Sequence, residues 1–149
     1  MVEIVPSSLH HHLDCYLRNY AFPTFLDIEV QNENLLRYLL KHEYIFHGYG
    51  IQSKRSSFKQ DNKMTIYNSN FENIFFGDYN FVYCNNISFS DNENEKLFEK
   101  IKKECKGIVI LYKFPVSFTN DFFYKIYQVR TITNTIEWIA LFFFLWSRF

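Results

Sequence analysis

The chain has 149 residues, enough for one domain with a sizeable core and too few for two. Its 16 basic and 16 acidic residues cancel and are interspersed, so no basic stripe is present and duplex nucleic acid is not an expected partner. Aromatics reach 21%, but the accompanying wealth of Asn, Lys and Ile matches the codon bias of an AT-rich genome, so aromatic abundance alone is no functional signal.

The N-terminus carries Glu3 and Pro6 where an export signal needs a basic region and then an apolar run. Pro6-Ser7-Ser8 reads as a helix start, with a serine hydroxyl able to cap the first amides. Leu9, Leu13, Tyr16, Leu17 and Tyr20 then recur at helical spacing until Pro23 ends the element. A second helix follows Asn32, with Leu35, Leu36, Leu39 and Leu40 on one face. Residues 43–46 predict a strand running into a His47-Gly48 turn, and residues 51–70 a long polar surface loop. "NIFF" (73–76) predicts a short strand, and Asp78 a cap for a brief helix over "DYNFVYCNN". The sequence "SDNENEKLFEKIKKECKG" predicts the clearest helix, with Leu97, Ile101 and Cys105 on one face and Gly107 as its stop. Strands are expected over 108–114, 122–129 and Ile136–Leu145. The last is strongly apolar, but its apolar run ends at Trp146 and includes Glu137. About 20 apolar residues are needed to span a membrane, so a buried strand is expected and no membrane anchor. With helices early and strands late, the fold expected is α+β: a split antiparallel β-sheet with N-terminal helices, in a single domain over 1–149.

Candidate chemistry is sparse. Cys15, Cys84 and Cys105 form no CxxC pair, which points to a reducing, cytoplasmic setting and to no metal site. Adjacent His10, His11 and His12 point in three directions on a helix and cannot share one metal. There is no GxSxG nucleophile turn and no Gly-rich phosphate loop.

The sequence that stands out is "KHEYIFHGYG" (41–50), an aromatic run ending in His47-Gly48, together with "NIFFGDYNFVYCNN" and "NTIEWIALFFF" downstream. In this order they resemble the three motifs of the His-Tyr-Glu class of ADP-ribosyltransferases, the poly(ADP-ribose) polymerase-like class. Tyr44–Gly48 corresponds to the aromatic strand ending in His-Gly. Ile74-Phe75-Phe76-Gly77-Asp78, followed by Tyr83-Cys84, stands in the second motif, and Glu137 at the head of a C-terminal strand. Tyr49 stands where that family has Ser or Thr. The resemblance implies NAD as substrate, with no metal, and transfer of a single ADP-ribose to an unknown acceptor. His47 would bond a ribose hydroxyl, the Gly48 backbone would face the carboxamide, and Tyr83, opposite Phe75, would stack on nicotinamide, with Tyr79 able to take that place. Glu137 would be catalytic, stabilising the cationic transition state as nicotinamide leaves. On that reading the loop 51–70 borders the cleft. The other reading is a non-enzymatic interaction protein or degenerate relative, with His47 a turn residue, Tyr83 core and Glu137 an edge-strand charge.

Overall fold

The computed structural model describes residues 13–30, 34–53 and 62–113, and the backbone of two strands at 123–133 and 136–145. Phe25-Leu26-Asp27-Ile28 form strand β1, and all four are buried. Phe25 packs with Leu35, Leu36 and Leu39 in an apolar cluster on one face, whereas Leu26 and Ile28 join Leu97, Phe98 and Ile101 on the other. Strands β4 (Phe81–Cys84) and β5 (Ile108–Leu111) alternate in the same way. Phe81, Tyr83, Ile108 and Ile110 belong to the first cluster, and Val82, Cys84, Val109 and Leu111 to the second. Strands apolar on both faces are the mark of a parallel sheet covered on both sides. Each fully buried Leu, Ile or Phe contributes about 1.5–3 kcal/mol to holding it.

The remaining strands are β2 (Gly48–Gln52), β3 (Met64–Asn68), β6 (Phe123–Thr133) and β7 (Ile136–Leu145), and the sheet runs β3-β2-β1-β4-β5-β7-β6. The first five are mutually parallel. β7 runs antiparallel to both β5 and β6. On the first face lie α1 (residues 13–17, helical from the first described residue) and α2 (Asn34–Lys41), and on the second α3 (Asp91–Glu104). The chain reverses its direction of travel at β1, which has β2 on one side and β4 on the other.

This architecture overturns the split antiparallel α+β expectation. Parallel neighbours need crossovers, and these strands are joined by α2, α3 and the 69–80 connection rather than by hairpins. Helices α2 and α3 stand where the sequence predicts them. Ser90 and Glu93 form a reciprocal capping box at the start of α3, and Leu97, Ile101 and Cys105 are all buried. Residues 43–46 form no strand, because they terminate α2. The Tyr44 amide donates to Leu39 O and the Glu43 amide to Leu40 O, with Glu43 in the left-handed region at φ 59°. That is a Schellman cap. Residues 73–76 are the end of a 3-10 turn (Phe71–Asn73) and an irregular segment, and Phe81–Cys84 is strand rather than helix. The polar stretch 51–70 contains the end of β2 and all of β3, while 54–61, Phe114 and the first helix before residue 13 lie outside the described residues. β7 matches its predicted bounds to the residue, β6 overlaps the predicted 122–129 but runs on to Thr133, and β5 stops at Leu111, short of the predicted 108–114.

Gly107 follows α3, but not as a left-handed cap, since no described glycine has positive φ. Its absent side chain is needed because a Cβ there would collide with the Asn80 carbonyl, which accepts the Ile108 amide at 2.9 Å. Gly107→Ala should therefore lower stability by about 1–3 kcal/mol through forced separation of the β4 and β5 entries, read from the urea midpoint. Glu43→Gly should do the opposite. Relief of the left-handed backbone is worth up to about 1 kcal/mol, or about 2–4 °C in Tm at this size, by calorimetry.

Candidate functional site

In an open sheet of this kind, ligands bind outside the carboxyl ends of the strands where the strand order reverses. Here that point is the exit of β1. The registers Ile28↔Ile51 and Ile28↔Cys84 bring the next residue of each segment to the same level, in one row: Gln52, the last of β2, Glu29, the first after β1, and Asn85, the first after β4. The outer two strands of that row are about 10 Å apart.

Each member of the row is polar. Gln52 is buried. Glu29 has φ 56°, a conformation that costs a non-glycine residue about 1–2 kcal/mol. It is held there by the following amide, Val30 N–H, which donates to Ile51 O at 2.9 Å. One Glu29 carboxylate oxygen accepts from the Ser53 hydroxyl at 2.9 Å, and the other has no partner among the described residues. Asn85 is only 6% exposed; its Oδ1 accepts from Ile87 N–H at 3.3 Å, while its Nδ2 has no protein partner among the described residues. A largely buried residue with its amide donor left open is uncommon, and this one stands at the reversal of strand order. Beneath the row, Asp27 is buried on β1 between Gly50 and Tyr83.

The neighbouring Asn86 is 1% exposed and fully used. Its Nδ2 donates to Asn94 Oδ1 and Lys113 O, and its Oδ1 accepts from the Tyr112 and Lys113 amides at 2.9 and 3.1 Å. It ties the β4 exit to the β5 exit and to the first turn of α3, and so fixes where Asn85 stands.

The residues expected to form an NAD site do not assemble. His47 precedes β2 at the opposite, amino end of the sheet, with Nε2 2.7 Å from Thr65 Oγ1. Gly48 faces the core, its missing Cβ directed at Leu36 3.4 Å away. Phe75 is 54% exposed. Tyr79 packs edge-on to Tyr49, which also touches His47, so these three alone come together. Burial and then Tyr67 push the Tyr79 hydroxyl pKa well up, keeping it neutral. Tyr83 is a core residue whose hydroxyl meets that of Tyr112 at 2.9 Å. Glu137 lies on β7 opposite Ile132. β7 is four strand spacings, about 19 Å, from β2, and position 137 lies past the carboxyl end of β5 while His47 lies at the amino end. The two cannot line one cleft. Among the described residues no group of His, Cys, Asp and Glu could hold a metal, and no helix is long and apolar enough to cross a membrane. Cys105 is buried, which raises its thiol pKa and leaves it unreactive.

Neither a family model nor a curated protein matches the chain. Solved structures do. A spermidine synthase from Thermotoga maritima superposes with a TM-score of 0.64 at 13% identity, over 92% of this chain and 58% of its own. The M1A22 tRNA methyltransferase of B. subtilis gives 0.59 at 10% identity, over 91% of this chain and 65% of its own. Human methyltransferase-like protein 13, in complex with SAH, gives 0.60 at 12%, over 90% and 76%. The chain thus spans less than two thirds of the first two. At such identities the likeness shows the fold: a Rossmann-like sheet of the kind found in methyltransferases. It overturns the ADP-ribosyltransferase resemblance, and NAD, nicotinamide cleavage and ADP-ribose transfer fall with it. The exclusion of a nucleic-acid partner also falls, since one of these structures is a tRNA methyltransferase and charge balance alone does not exclude such a partner; nothing in the comparisons supports the expected absence of a membrane partner.

Asn86→Ala would strip two buried groups (Asn94 Oδ1 and the Tyr112 amide) and two part-buried ones (the Lys113 amide and carbonyl) of their partner. Stability should fall by about 2–4 kcal/mol, and amide exchange at Tyr112 and Lys113 should accelerate more than at Leu26.

Proposed function

We propose that the row Gln52–Glu29–Asn85 is the floor of a site for S-adenosylmethionine and that the protein is a methyltransferase. The observation that carries this is the open, buried Asn85 amide beside the half-used Glu29 carboxylate at the strand-order reversal. A dinucleotide needs a glycine-rich turn whose amides cradle its pyrophosphate. After Ile28 this chain reads Glu29-Val30-Gln31-Asn32-Glu33-Asn34, with no glycine and a carboxylate first. Such an exit repels phosphate and suits a ligand that carries positive charge and no phosphate. S-adenosylmethionine supplies a methyl group made electrophilic by its sulfonium. Glu29 offers a fixed acceptor, oriented by Ser53 and by the left-handed turn, and Asn85 offers a donor already removed from water. Both are held before the ligand arrives, which lowers the ordering cost of binding.

The glycine-free β1 exit also favours a second reading, a member of this fold that holds no nucleotide and acts only through its surfaces. Calorimetric titration separates the two. SAH should bind saturably and NAD should not, and Glu29→Ala or Asn85→Ala should each weaken SAH about tenfold, equivalent to 1.4 kcal/mol, with an unchanged circular dichroism spectrum. Absence of SAH binding at millimolar ligand would sink the methyltransferase reading and leave the second.

A further inference from the structure

Glu29 combines a strained backbone with a half-used side chain. Among the described residues, Glu29 and Glu43 are the two that have positive φ without being glycine. Glu43 caps the end of α2, which accounts for its conformation, but Glu29 follows a strand. The bond that Glu29 receives from the Ser53 hydroxyl is exposed to water, which competes for both groups, so it offsets little of the strain. A residue other than glycine kept in that conformation points to a role for its side chain.

The exit of β2 supplies a second, independent observation. In open sheets of this kind that hold a nucleotide, a carboxylate about 20 residues past the first strand-to-helix turn receives the ribose hydroxyl. From Glu29 that distance reaches the end of β2, where Gln52 and Ser53 carry no charge. The next acidic residue in the chain is Asp61. A carboxylate does stand at this exit, but it comes from the neighbouring strand. The register Ile28↔Ile51 and the Val30 amide on Ile51 O hold Glu29 level with Gln52. The Ser53 hydroxyl, next after β2, donates to one of its oxygens at 2.9 Å, and the other oxygen has no partner among the described residues.

We infer that Glu29 is the ribose-recognising residue of the site, accepting the hydroxyls of a ribonucleoside at the exit of β2 in place of an acid on β2 itself. A carboxylate accepts without donating and has about four lone-pair positions, so the bond from Ser53 leaves room for both hydroxyls of a vicinal diol. A deoxyribose ligand brings one donor fewer and leaves part of that capacity unpaired. The inference rests on the reading of this row as a nucleoside site, and holds whether or not a methyl group is transferred there.

The test is calorimetric titration of the full chain with adenosine, 2′-deoxyadenosine, SAH and the 2′-deoxy analogue of SAH, each ribose ligand being compared with its own deoxy form. The parent should prefer each ribose form by at least about tenfold. Glu29→Gln, which keeps the shape of the side chain, should cut that preference to about twofold or less, and Asp61→Asn should leave it intact. Glu29→Gly should also abolish the preference while raising Tm, because glycine relaxes the turn. A parent that binds SAH but treats ribose and deoxyribose alike overturns the inference and leaves the methyltransferase reading standing. A preference that survives Glu29→Gln, or that vanishes in Asp61→Asn, overturns it too. If SAH does not bind, while adenosine is preferred over its deoxy form and Glu29→Gln removes that preference, the ribose assignment survives and the methyltransferase reading does not. No binding of any of the four ligands at millimolar concentration overturns both.

Discussion

The rest of the structure depends on β1 being dry on both sides. Four residues in the middle of a seven-stranded sheet leave no face for water, so both faces must be covered by other segments. This dictates two separate apolar clusters, helices on both sides and crossover connections between parallel strands. It also dictates where chemistry can happen. Polar groups are excluded from the body of the strand except Asp27, and they first gather where the strands end and their carbonyls emerge. The reversal of strand order at β1 lets two connections diverge there, between the strand exits that carry Glu29 and Asn85.

The parts of this fold legible from sequence are those whose signal is local. Helix α3 has a capping box and an apolar stripe, α2 has four leucines at helical spacing, and the late strands have long β-branched and aromatic runs. What escaped is the central sheet. β1 is too short to show periodicity and contains a charge. β2 reads as a turn because Gly48 and Gly50 are there to admit α2 and the side chains of Val30 and Ile66, a tertiary requirement with no local sign. β4 reads as a capped helix because Asp78 precedes it. Residues 43–46 carry strand-forming aromatics, yet a left-handed Glu43 turns them into the end of α2. The His-Gly motif then fell on a strand entrance at the wrong end of the sheet.

The candidate site was less legible still. Its row joins residues 29, 52 and 85, which no motif spacing connects. One sequence cue existed in retrospect: the adjacent pair Asn85-Asn86 after a buried strand. The two amides have the same chemistry and opposite uses. Asn86 has every side-chain hydrogen-bonding group engaged and serves as a clasp. Asn85, one position back, is held almost as dry with its donor unspent. A clasp that fixes a spare donor is how a small protein pre-shapes a polar site without a large supporting shell.

The pairing of β1 with β4 also has a consequence for how the protein is made. Thr24 and Asn80, which lock the strand entrances to each other, are 56 residues apart in the chain. At a synthesis rate of about 5–20 residues per second, β1 leaves the ribosome about 3–11 s before its partner exists. During that interval Leu26 and Ile28 lack the strand and the α3 surface that later cover them, and only the β2 side of the sheet can form. The nascent chain thus carries an unfinished apolar edge for seconds, long enough for a holding chaperone or a neighbouring nascent chain to find it.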